Sequence, residues 1–255
     1  MLGISGVNPR ILETRSGLSQ AGPLGRRERR RELQLGRRKF HRLAGTLIAA
    51  ATLSACSVAQ NYTYVTDSGD SAYFKVPPAW KPVDQNLLAA AQARLLGSSP
   101  AGAAGGPLTW SRAYDASGQP SASHVFATAS QPVVYASVQA MNTAQRAGLS
   151  FDSMRNLLLP VTSTARQAAR QAGATFSGFQ SIVDQVITGH DGVRGVNELF
   201  GYEIGGVPEI FDQTVLTNSA TTKLYLLLVQ CNQSCFIAHK SQIATVVRSF
   251  TVRGS

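Results

Sequence analysis

The groups in this chain that could do chemistry are few and scattered. Cys231, Cys235 and His239 recur at intervals of four. On one helix face that spacing would suit a metal ion. Along a strand it would not: at about 3.3 Å per residue, Cys235 and His239 lie about 13 Å apart, far beyond the reach of ligands about 2 Å from one ion. The flanks decide between the two. Leu224–Gln230 is strongly apolar and strand-like, Phe236–His239 resumes in the same style, and the Asn-Gln-Ser between them is turn chemistry. The segment therefore reads as a hairpin with both thiols at its mouth, and no metal site is expected. Asp67 and Asp70 in "DSGD" offer oxygen ligands, but the run is far shorter than a calcium loop and reads as a turn. His190-Asp191 in "GHDG" reads as a hairpin tip, and His124 sits in a polar segment without an evident partner. Trp80 and Trp110 read as core residues sooner than as pocket lining. G-x-S-x-G, phosphate-loop, H-E-x-x-H and cysteine–histidine nucleophile signatures are all absent from the sequence. No catalytic residue and no cofactor are expected.

Cys56 is different, because the residue types before it follow a set sequence. The formal charge of the chain is +10. Residues 1–56 hold eleven Lys/Arg against three Asp/Glu, while residues 57–255 hold thirteen against eleven. The basicity thus belongs to a leader, which removes the usual argument for a nucleic-acid partner. A cationic block, "GRRERRRELQLGRRKFHR", precedes the apolar run "LAGTLIAAATLSAC". The order of charged region, short apolar region and small residues is that of a secretory signal peptide. The run is shorter than the roughly 20 residues a spanning helix needs. Leu53-Ser54-Ala55-Cys56 resembles the bacterial lipobox. That resemblance implies a diacylglycerol on the Cys56 thiol, cleavage just before it by lipoprotein-processing enzymes, and a stable anchor of two or more acyl chains. Arg37 and Arg38, in "RRKF", resemble the twin-arginine export motif, and ordinary export remains the alternative. The implied location is the extracytoplasmic face of the cell membrane. Cys231 and Cys235 then form an even pair outside the cytosol, where a disulfide is expected.

The chain divides into four segments: 1–36, a disordered extension or an over-called start; 37–55, the signal peptide; 56–61, a lipidated tether; and 62–253, a single domain. Within the last, strands are expected at 62–66, 71–76, 108–114, around 124–127, and at 133–141, 179–188, 194–204, 209–216 and 224–230. Asp84 caps a helix to Leu96 closed by Gly97, Ser150 caps one bearing Phe151, Met154, Leu157 and Leu158, residues 164–172 make a polar helix, and Ser241 opens the last. The segment 98–107 reads as a surface loop. Val133–Val138 and Leu224–Val229 are apolar on both faces, as central strands are. Short connections make the pairing mostly antiparallel. The expected fold class is α+β, a mostly antiparallel central β-sheet flanked by helices on both faces, an α/β/α sandwich.

"AYFKVPPAW" and "GVRGVNELFGYEI…FDQTVLTNSATTKLYLLLVQC…IATVVRSFTV", with Tyr225, Ser249 and Phe250, resemble the early strand and the second half of PsbP-like proteins. Exported actinobacterial lipoproteins of the LpqN/LpqT type look similar. The resemblance implies a binding or assembly module rather than an enzyme, without naming any binding residue. The expectation is a lipid-anchored envelope protein that binds an envelope protein or lipid. An envelope hydrolase built from Ser, His and Asp, or a carrier of an apolar ligand, remains the alternative.

Overall fold

The computed structural model describes residues 61–98 and 108–253. Arg37, Arg38, Leu53, Ser54, Ala55 and Cys56 lie outside the described residues, as does nearly all of the 98–107 loop.

The described residues open with the hairpin β1 (Thr63–Asp67) and β2 (Ala72–Val76), and β3 (Lys81–Pro82) comes after it. Asp84 Oδ1 accepts the amides of Asn86 and Leu87 at 2.9 and 3.0 Å and starts α1 (Gln85–Ser98), which runs through Gly97 instead of stopping at it. Next come β4 (Leu108–Asp115), α2 (Ala122–Phe126), β5 (Val133–Ala140), α3 (Thr143–Gly148), α4 (Phe151–Arg155) and α5 (Ser163–Gln171). The second half is β6 (Ser177–Thr188), β7 (Arg194–Ile204), β8 (Val207–Thr217), β9 (Lys223–Asn232), α6 (Gln233–Ser249) and β10 (Thr251–Val252).

Every strand pairing is antiparallel, in a seven-stranded sheet ordered β3-β4-β5-β9-β8-β7-β6 and a three-stranded one ordered β1-β2-β10. β5 and β9 are neighbours inside the large sheet and nearly wholly buried, as their two-sided apolarity requires. Helices cover both faces. On one, Tyr135, Gln213 and Gln230 bond to Gln92 of α1, to the end of α4 and to α2. On the other, Val138, Leu216 and Tyr225 meet Ala72, Val252 and Phe250, while Ile243 and Val246 of α6 are buried. β6 is one edge of the large sheet and β3 the other; the side chains of β6 are exposed or half-buried, and two register shifts, between Ser177 and Gln180 and between Ser181 and Val183, break its ladder with β7.

Several local expectations are corrected. Residues 124–127 are not a strand: Ser121 Oγ accepts the Ser123 amide and starts α2. The helix capped by Ser150 ends at Arg155, because the Asn156 side chain turns the chain by accepting the amides of Val161 and Thr162 at 2.8 and 2.9 Å. Leu157 and Leu158 therefore lie beyond it. α3, with its Asn142/Gln145 capping box, leaves no trace in the apolar pattern, since it buries no residue. "GHDG", by contrast, is the expected hairpin tip, joining β6 to β7 through a tight 3-10 turn with Asp191 at φ 56.

The largest correction concerns the cysteines. The chain after Cys231 is a helix, not a returning strand. Asn232 Oδ1 accepts the Cys235 amide at 2.9 Å, so the Asn-Gln-Ser segment is a cap, and α6 begins at Gln233 instead of Ser241. The Cys231–Cys235 disulfide, with Cα atoms 6.0 Å apart, fastens the last turn of a strand to the first turn of a helix. Replacing both cysteines by alanine is expected to cost about 2 kcal/mol, the chain-entropy value for so short a loop. The urea midpoint reads it; an unchanged midpoint would show that the bond constrains nothing that Asn232 does not already hold.

Candidate functional site

The side chains singled out for chemistry do not converge. His239 is on α6, its Nδ1 3.3 Å from Gln242 Oε1, and both sulfurs nearby are committed to each other. The strand-spacing argument against a metal thus fails, since His239 and Cys235 share a helix, but the disulfide occupies both thiols. Among the described residues, no group of three His, Cys, Asp or Glu side chains is placed around a common point. Asp70 accepts the Thr109 hydroxyl at 2.6 Å and pairs with Lys223 Nζ at 2.7 Å; Asp67 accepts the Gly69 amide, so "DSGD" is an anchored turn. Trp80 is buried in the core, and Trp110 packs at its margin beside Arg112.

His124 has the partner that the sequence did not reveal. Its Nδ1 is 2.6 Å from Asp115 Oδ2, a fully buried carboxylate that also accepts the amides of Ser117 and Ser121. This is half of a hydrolase constellation, a ring oriented by an acid. The hydroxyls at hand are otherwise engaged: Ser121 Oγ caps α2 and lies 2.8 Å from Ser123 Oγ. The pair pins the 115–124 loop, and Gln230 holds the carbonyls of His124 and Ala127 from below at 2.9 Å.

A denser polar site lies where α4 meets β6 and β7. The register places Asp184 beside Glu198 and Glu198 beside Gln213, one polar row across three strands. Gln213 donates to the carbonyls of Met154 and Arg155 at 3.3 and 3.1 Å, which fixes the end of α4 over this row. Arg155 then serves three carboxylates: Asp152 at 3.0 Å through Nη1, Asp184 at 2.8 Å through Nη2, and Glu198 at 3.1 Å through Nε. Arg155 is 17% exposed and Glu198 only 1%. Burial, reinforced by the Asp184 charge and opposed by Arg155, pushes the Glu198 carboxyl up to about 7. Arg155 cannot neutralise three acids, so a proton on Glu198 relieves the excess.

The open cleft beside this cluster has a volume of about 470 Å³ and is lined in part by Asp152, Arg155, Arg166, Phe179, Ser181 and Asp184. The Arg166 guanidinium lies 4.0 Å over the Phe179 ring and also donates to the Val161 carbonyl, so this arginine is braced and not simply solvated. Arg166 and Ser181 supply donors, Asp152 and Asp184 acceptors. Such a lining suits a polar protein surface and not the dry cavity that an apolar ligand requires. Sequence reading could reach only one contact here, the i,i+3 spacing of Asp152 and Arg155; the others depend on strand register. Among the described residues no helix is long and apolar enough to cross a membrane.

No family model matches the chain, and no curated protein matches it. Among solved structures it is similar to the cyanobacterial PsbP (CyanoP) of Synechocystis sp. PCC 6803, with 15% identity and a TM-score of 0.45, over 79% of this chain and 99% of that one. It is also similar to the Ran-binding protein Mog1p of Saccharomyces cerevisiae, with 10% identity and a TM-score of 0.40, over 77% and 97%. LpqN of Mycobacterium tuberculosis, a protein involved in cell envelope biogenesis, matches with 12% identity and a TM-score of 0.39, over 75% and 90%. The PsbP-like and LpqN-type resemblance read from the sequence is thus met again among solved structures.

Proposed function

We propose that this chain is an exported lipoprotein, anchored through Cys56 at the extracytoplasmic face of the cell membrane, that works as a non-catalytic binding or assembly module. The observation that carries the reading is Leu53-Ser54-Ala55-Cys56 at the end of a cationic and then apolar leader. The distance to the fold supports it. β1 starts at Thr63, seven residues after Cys56, so at about 3.5 Å per residue the tether spans at most about 25 Å. Confinement to that layer raises the effective concentration of the domain near membrane partners, and a weak interface then suffices. The open, polar cleft beside Arg166 and Asp184 suits a protein surface of mixed charge.

In cells, the chain is expected in the detergent phase after temperature-induced phase separation. Globomycin should accumulate a larger precursor, and Cys56→Ala should move the protein to the aqueous phase. Native material in the aqueous phase that still carries residues ahead of Cys56 contradicts the proposal. A photoactivatable probe on Ser181→Cys in intact envelopes is expected to capture a protein; labelling of lipid alone would assign the cleft to a lipid instead.

A further inference from the structure

The small sheet β1-β2-β10 uses only one of its faces for the core. Its inner row includes Val65, Ala72, Phe74 and Val252, all buried. The outer row is set by register: Tyr64 lies beside Lys75, and Tyr73 lies between Thr66 and Thr251. Tyr64 is 71% exposed, far more than a core tyrosine would be. Lys75 Nζ lies 4.4 Å from the centre of the Tyr62 ring, and the Arg253 guanidinium 5.9 Å from that of Tyr73. Arg248 of α6 joins them across a shallow cleft of about 190 Å³ that it shares with Lys75, Thr245 and Ser249.

Tyrosines and cations therefore interleave on one surface. No acidic residue holds an outward position on β1, β2 or β10, and none occurs in α6. Asp67, the last residue of β1, holds an inward position, and Asp70 of the adjoining turn is already paired with Lys223. Residues 57–255 as a whole carry thirteen cations against eleven anions, so an acid-free group of three cations is a departure from the domain's average. This surface also begins where the tether ends. Tyr62 is six residues from Cys56, a span of at most about 21 Å.

We propose that the outward face of β1-β2-β10, with Arg248 of α6 beside it, docks on the headgroups of an anionic phospholipid surface. The inference rests on the lipid-anchor reading, which supplies the nearby membrane, and adds an orientation to it. Tyrosine rings are amphipathic and settle at the headgroup level. Lys75, Arg248 and Arg253 meet the negative surface potential. Docking by this face leaves the cleft beside Arg155, on the far side of the large sheet, open to partners.

The test uses residues 57–255 without lipid; every described core side chain lies between Val65 and Val252, so this segment carries its whole core. It is expected to sediment with phosphatidylglycerol-containing vesicles at low salt and not with pure phosphatidylcholine. Each cation removed from the face should lower partitioning about fivefold, so Lys75→Gln, Arg248→Gln and Arg253→Gln together should lower it about a hundredfold. The same change of net charge placed elsewhere, at Arg146, Arg170 and Arg194, should have little effect. Equal losses in the two triple variants, equal binding to phosphatidylcholine, or no vesicle binding at all would overturn the docking face. Phase partitioning of the lipidated full chain reads the anchor separately, so either idea can fail alone.

Discussion

Arg155→Ala is expected to destabilise the domain by about 3 kcal/mol at pH 8, with most of the loss recovered by adding Glu198→Gln. Removing one partner of a buried ion pair leaves the other uncompensated, a larger cost than the pair's net contribution. Glu198 is nearly fully buried, and without Arg155 its oxygens and those of Asp184 would face each other across β6 and β7. Glutamine keeps the shape and removes the charge. The same physics gives the pH dependence its sign. The native Glu198 carboxyl titrates at about 7 against an ordinary 4.5, and Glu209, buried with one amide partner in Ala129, also stands at about 7. In that interval the folded state holds protons that the unfolded chain has released. Stability therefore rises as pH falls from about 7 towards 4.5, and the full penalty of burying these charges is felt above 7. Asp212, raised to about 6 by burial, adds in the same direction. Asp70, held low by Lys223 and Thr109 against its burial, loses its contribution only below the ordinary aspartate range. Urea midpoints should be higher at pH 5.5 than at pH 8, and Glu198→Gln with Glu209→Gln should flatten the difference. A midpoint that falls on going from pH 8 to 5.5 would refute the assignment.

Gly195→Ala is expected to cost more than about 3 kcal/mol and to prevent accumulation of folded protein at 37 °C. Gly195 sits on β7 opposite Leu216 of β8. A Cβ there would overlap the Val215 carbonyl oxygen and lie 2.8 Å from the Leu216 Cα. Both are backbone atoms of a buried strand, so relief requires parting β7 from β8, and Val215 and Leu216 belong to the two apolar clusters on either face. Gly148→Ala is the control: nothing lies within 4 Å of its added Cβ, and that substitution should be neutral or slightly stabilising. A Gly195→Ala midpoint within about 0.5 kcal/mol of the parent would show that the two strands can separate freely at this point.

The strands were legible because apolar continuity in Val133–Val138 and Leu224–Val229 has one physical meaning at that length: a segment covered on both sides. The start of α6 was not, because asparagine and serine serve turns and helix caps through the same side-chain-to-amide bond. Asn232 makes that bond to Cys235, and the bond alone does not distinguish a hairpin turn from the first turn of a helix. α2 was hidden likewise behind Ser121. The polar row is hidden for another reason. Asp184, Glu198 and Gln213 become neighbours only once two hairpins have settled their registers, and β6 carries two shifts that no spacing rule foretells. The Asp115–His124 pair, by contrast, is nine residues apart within one loop, and a buried carboxylate at the end of β4 was the missing clue.

The irregular edge of the large sheet acquires weight if the domain lives in a crowded two-dimensional layer. Twelve residues of β6 lie along that edge, with Ile182 and Val186 about half exposed. A straight ribbon of this kind would recruit an identical ribbon from a neighbouring molecule, and tethering multiplies such encounters. The two register shifts leave only Val183–Thr188 in unbroken register, so a straight partner strand could pair along about half of this edge. On a membrane-tethered domain, that shortening would limit edge-to-edge pairing between neighbouring copies.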